Sequence, residues 1–225
     1  MTQILVILTI ASAPGYAIKP LLLESLPEAQ LRFVSLLDGL SRAEIGEYYA
    51  PHGGEKSLLV PLRDGAPLPL AVSRLERGLQ RLIDQLETRG VENILLLGCA
   101  EFIGLQARSA VLLEPDRLIP PLINAMVDGH QAGIVVAAND PLRQQAGKWR
   151  ILSKPALFAV ADPEPEDNQA LLDAGLQLLE QGADVVVLDS PGFHSRHGDF
   201  LRQLLGVPVL LSWQPLVRMA AELLA

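Results

Sequence analysis

GVENILLLGCAEF, residues 90–102, and GADVVVLDSPGF, residues 182–193, carry one pattern twice, and that repetition decides how the chain is read. In each, a glycine closes a helical stretch and an acidic residue follows, Glu92 or Asp184. Four aliphatic residues come next, after an intervening Asn93 in the first stretch, then a spacer, Gly98 or Asp189, then Cys99 or Ser190, with Phe102 or Phe193 three positions on. An unbroken aliphatic run between turn signals suits a strand covered on both faces. Cys99 and Ser190 are therefore read as equivalent positions in two halves of one molecule.

Further strands are expected at 3–10, 57–62, 132–137, 156–160 and 208–212, with helical periodicity over 72–89, 118–128, 165–181, 195–205 and 215–224. Strands alternating with helices, and prolines and glycines between them, signal βαβ units and a parallel sheet. The fold class is α/β, with two pseudo-symmetric parallel-sheet halves. LEPDRLIPPL, residues 113–122, reads as the passage between them, its prolines restraining the chain just before a new helix. The first half is expected to comprise 1–115 plus 207–225, the last strand and helix returning to it, and the second 116–206.

With 225 residues the chain can bury a substantial core. A net charge of −8 and an aromatic share of 4% argue against nucleic-acid binding, which needs a basic footprint and stacking surfaces. No apolar segment approaches the ~20 residues of a membrane span. MTQILVILTIASAPG at the start lacks the basic flank of a signal peptide and is read as a buried strand. A single cysteine makes no internal disulfide, and the expected setting is cytoplasmic.

Ligands of open α/β sheets bind at the carboxyl ends of the strands. Thr9 and Ser12, Cys99, Asn139 and Asp140, and Ser190 all follow strand ends, a rim suited to a small carboxylate or other small anion held by main-chain N–H groups. Ala100, Glu101, Pro191 and Gly192 border that rim. Cys99 is either a small buried hydrophobe or a thiol activated where a helix should begin. Ser190 needs a base, and His194 is a candidate for proton transfer or orientation beside it, or else a helix-capping histidine.

His194 and His197 have the spacing of a zinc pair, with Asp189 or Asp199 as third ligand, but no cysteine or further histidine is local, so no metal site is assigned. HGGEK, from His52, is a turn, since no G-x-S-x-G accompanies it. No dinucleotide or P-loop fingerprint appears, and no cofactor is expected. Of Arg74, Arg77, Arg108 and Arg117, Arg108 is the preferred carboxylate clamp, because it lies a few residues beyond Cys99.

ILTIASAP, EYYAP, VSRLERGLQ, LEPDRLIPPL, GADVVVLDSPGFHSRHGDFL, VPVLLS and RMAAELL together resemble the AroM family over essentially the whole chain. That family implies no defined chemistry, only a link by gene context to aromatic amino-acid biosynthesis. More remotely, the chain resembles the aspartate/glutamate racemase superfamily, in which each of two α/β halves places a cysteine after a strand. Cys99 and Ser190 match those positions, with one thiol where a two-base racemase has two. The resemblance implies a homodimer and a racemase, isomerase or decarboxylase-like enzyme using Cys99 as the proton carrier, Ser190 and His194 on the opposite side, and Thr9 and Ser12 on the carboxylate. One thiol favours decarboxylation or isomerisation over racemisation. A non-catalytic metabolite-binding or regulatory protein is the competing reading.

Overall fold

The computed structural model describes residues 3–11, 17–62, 66–97, 102, 104–138, 142–163 and 168–225. The chain divides into two compact units, one of residues 1–19, 26–115 and 220–225, the other of 20–25 and 116–219.

The first unit is built on strands β1 (Leu5–Thr9), β2 (Leu31–Ser35), β5 (Asn93–Leu97) and β6 (Val111–Leu113), parallel in the order β2-β1-β5-β6. Every residue of β1 and β5 is buried, as their unbroken aliphatic sequences require of strands covered on both faces. Between β2 and β5 the chain forms helix α2 (Arg42–Tyr49), an antiparallel hairpin of β3 (Ser57–Val60) and β4 (Leu68–Ala71), and the long helix α3 (Val72–Thr88). Helix α1 (Lys19–Leu23) lies between β1 and β2 in the chain. A capping box starts α2, with the Ser41 side chain accepting from Glu44 N–H and Glu44 answering the Ser41 N–H. In α3, Leu75, Leu79, Ile83 and Leu86 form the buried stripe. Leu75, Leu79 and Ile83 are fully enclosed, each worth about 1.5–3 kcal/mol on burial.

The second unit holds β7 (Ala132–Val136), β8 (Leu157–Val160), β9 (Val185–Asp189) and β10 (Val209–Leu211), again all parallel, in the order β10-β9-β7-β8. Its helices are α4 (Pro115–Met126), α5 (Leu142–Lys148), α6 (Gln169–Glu180), α7 (Ser195–Leu205) and most of α8 (Gln214–Glu222). Numbered within each parallel sheet, the strands follow one order, with the second and third flanking the first and the fourth beyond the third. Phe102 and Phe193, the paired aromatics of the repeated pattern, are each buried in the core of their own unit.

Two expectations change. The last strand does not return to the first sheet: β10 pairs with β9, Val209 opposite Val186, and Ser212 N–H continues the ladder to Leu188 O at 3.1 Å. The crossover through α7 delivers the chain to the nearest unpaired edge, which β9 supplies. The passage read at 113–122 is itself mostly helical: α4 starts at Pro115, ahead of the expected 118, with Pro120 and Pro121 inside it. They remove two helical hydrogen bonds. The buried face of Ile119, Ile123 and Val127 offsets that loss.

Candidate active site

In the second unit the carboxyl end of β9 is organised around Asp189. Its side chain is 0% exposed, yet it accepts from Lys148 Nζ (2.8 and 3.1 Å), Trp149 Nε1–H (3.0 Å) and the Ser212 hydroxyl (2.6 Å). These partners come from the end of α5, the turn after it and the end of β10. A carboxylate at the end of a fully buried strand must find such donors or remain un-ionised. Sequence reasoning took Asp189 for a spacer or a zinc ligand and missed Lys148, Trp149 and Ser212. The signal was an acid closing an aliphatic run; nothing local pointed to a lysine 41 positions away.

Ser190 opens a tight turn. Phe193 N–H donates to Ser190 O at 3.1 Å, with Pro191 and Gly192 at the centre, and Gly192 N–H donates to Ser190 Oγ at 3.3 Å. Gly192 has no positive φ, so a left-handed backbone is not what it provides. It admits Pro163: a Cβ at 192 would stand 2.5 Å from Pro163 Cγ.

His194 precedes α7. Its N–H donates to His197 Nδ1 at 3.2 Å, its ring lies 4.3 Å from that of His197, and its Nδ1 is 3.5 Å from Glu24 Oε1. Glu24 also accepts the Ser195 N–H (3.0 Å) and hydroxyl (2.6 Å), placing a carboxylate on the N-terminus of α7. No hydrogen bond joins His194 to Ser190; the imidazole faces Glu24 and the His197 ring at the N-terminus of α7. The N–H groups of 192–195 are thus all taken by protein acceptors, and Pro191 has none to give. Among the described residues no group of three or more His, Cys, Asp or Glu is arranged to hold a metal.

In the first unit the Thr9 hydroxyl hydrogen-bonds that of Ser35 at 2.8 Å, both buried, across the register that pairs Thr9 with Ser35. Thr9 also stands opposite Leu97, two residues before Cys99. Ser12, Cys99, Ala100, Glu101 and Asn139 lie outside the described residues. Arg108 is exposed, and its N–H donates to Glu87 Oε1 at 2.7 Å. That oxygen also accepts from the N–H groups of Ser109 and Ala110, while Gln80 holds Gln106 and Glu76 holds Gly104 N–H. Helix α3 thereby pins the segment that leads from the Cys99 region to β6. HGGEK is a turn, closed by Glu55 N–H on His52 O at 3.0 Å.

A family model described as AroM protein matches residues 5–224. The chain belongs to the AroM family. No curated protein matches it. Among solved structures, this AroM-family chain is similar to an allantoin racemase from Klebsiella pneumoniae, at 16% identity and a TM-score of 0.56, covering 98% of this chain and 87% of that one. It is similar to arylmalonate decarboxylase at 14% identity and a TM-score of 0.53, covering 98% and 91%. An aspartate racemase homologue from Pyrococcus horikoshii OT3 gives 12% identity and a TM-score of 0.56, covering 99% of both chains. The shared fold is therefore that of the aspartate racemase-like proteins. Among the described residues no helix is long and apolar enough to cross a membrane.

Proposed function

We propose that this chain is a racemase/decarboxylase-type enzyme that handles a small carboxylate with one thiol, Cys99. The observation that carries the reading is topological: β5 and β9 are each the third strand in chain order, and internal, in identically ordered parallel sheets, with Ser190 directly after β9 and Cys99 two residues beyond β5. The fold neighbours named as racemases and a decarboxylase support the class of chemistry.

With one thiol, protonation from a single side suits decarboxylation of a geminal dicarboxylate. The bond to one carboxylate breaks, its electron pair remains on the α-carbon as an enediolate, and carbon dioxide leaves. The Cys99 S–H gives its proton to that carbon, and water restores the thiol. Ser190 is the hydroxyl counterpart of the thiol in the repeated pattern, and its oxygen is engaged by the Gly192 N–H, so it is assigned no role as a second base. His194, four residues on, stands at the start of α7 with its Nδ1 3.5 Å from Glu24 Oε1. The remaining carboxylate is assigned to the first unit, to Thr9, Ser12, Ala100, Glu101 and Arg108; Asn139 is a further candidate from the sequence. A reducing cytoplasm keeps such a thiol free, and a homodimer belongs to the same proposal.

The test is carbon dioxide release from phenylmalonate, and deuterium uptake from solvent at the α-carbon of small carboxylates. Cys99→Ala should lose about 10²–10⁴ of the rate, the usual worth of a positioned proton donor. An unchanged rate in that variant overturns the assignment. The filled N–H groups at 192–195 favour a second reading, a binding protein without turnover; Cys99→Ser would then keep ligand affinity while no reaction is detected in either form.

A further inference from the structure

The first unit holds a cleft of about 580 Å³ that this chemistry does not use. Helix α3 turns Arg74, Arg77 and Arg81 onto it. At spacings of three and four they share one helix face and cover about 10 Å of its length at 1.5 Å per residue. Arg74 is anchored, donating to Tyr48 O at 3.5 Å with Nε 4.0 Å from Glu55 Oε2. Arg77 and Arg81 are exposed and make no hydrogen bond or ion pair with a described residue. Against these three guanidinium groups the cleft sets one acid, Asp38, in a chain whose net charge is −8.

Tyr49 also lines the cleft. It is 7% exposed, and its hydroxyl packs on α3 where residue 78 is glycine: a Cβ there would meet Tyr49 Oη at 2.9 Å. The ring is buried, but the hydroxyl is not enclosed and makes no hydrogen bond with a described residue, so it is open to a ligand in the cleft. Burial pushes its pKa up and Arg81 opposes the rise, so the group is a neutral O–H donor at pH 7. Leu36 and Leu40 supply apolar walls.

We propose that this cleft binds a small organic dianion, two carboxylates or one phosphate on an apolar body about the size of one aromatic ring. Arg77 and Arg81 pair with the charged groups, the Tyr49 O–H donates to one of their oxygens, and the apolar body covers Leu36 and Leu40. The site does not depend on the Cys99 chemistry.

Calorimetric titration of the full chain with isophthalate and with phenyl phosphate tests it, and separates dicarboxylate from phosphate ligands; isophthalamide is the neutral control. Saturable binding of at least one dianion is expected, with none of the amide. Arg77→Ala/Arg81→Ala should lower affinity by tenfold or more, and Tyr49→Phe, which keeps the ring, by about fivefold, the ordinary cost of a lost hydrogen bond. Cys99→Ala should bind as the parent does. Absence of saturable binding by either probe at millimolar concentration, or equal affinity in the parent and the double-arginine variant, overturns the proposal.

Discussion

Lys148 Nζ stands 2.8 Å from Asp189 Oδ2, and the carboxylate it meets is wholly withdrawn from solvent. The pair joins the end of α5 to the end of β9, and Trp149 and Ser212 fill the remaining lone pairs. It fixes the strand end on which Ser190 follows.

Removing one partner from such a pair leaves an uncompensated buried charge. Lys148→Met should cost about 3–5 kcal/mol of unfolding free energy in urea. Adding Asp189→Asn should return part of that loss, because the stranded charge is gone. If the single variant unfolds within about 1 kcal/mol of the parent, the pair has the low worth of a solvated surface contact.

Glu87 supplies a pH dependence. The N–H groups of Ala110, then Ser109 and Arg108, together with the Ser109 hydroxyl, hold its carboxyl down to about 2, against 4.5 for the free group. Because the folded pKa is depressed, the unfolded chain takes up the proton first as pH falls. The contribution is fully present above pH 4.5, declines below it, and is lost as pH falls through about 2. The stability gap between the parent and Glu87→Gln should therefore narrow over that window, measured as the difference in urea midpoints. A gap that stays constant with pH would mean the loop amides do not depend on the charge.

Gly192→Ala tests the turn after β9. Its Cβ would stand 2.5 Å from Pro163 Cγ, so either the turn or the loop before α6 must move. A loss of about 1–3 kcal/mol is expected, as for other overpacked sites. Gly147→Ala is the control, since a Cβ there meets nothing within 4 Å and the glycine lies in α5. Equal midpoints for parent and Gly192→Ala would remove the steric account of that glycine.

Much of the fold was legible in the sequence where burial is complete. β1, β5, β7 and β9 are aliphatic apart from Thr9, Asn93, Gly133 and Asp189, and the stripe of α3 has the helical period, so hydrophobicity alone locates them. Half-exposed or short elements were not legible. β2 mixes Arg32 with Phe33 and Val34 at a sheet edge, β6 has three residues, and α5 (LRQQAGK) has only one large apolar residue. At such places local pattern and local propensity are weak, and pairing with a neighbour decides the state.

The sequence by itself determined the α/β class, the repeated strand-end pattern and the positions of Cys99 and Ser190 within it, because these follow from burial periodicity and from one motif occurring twice. Tertiary structure alone decided that β10 completes the second sheet. It also decided that Asp189 is held by Lys148, Trp149 and Ser212, that His194 faces Glu24 at the start of α7, and that three arginines and a phenol share a cleft. Each of these is a meeting of residues far apart in the chain, governed by desolvation and donor–acceptor satisfaction in a packed interior, which no local pattern encodes.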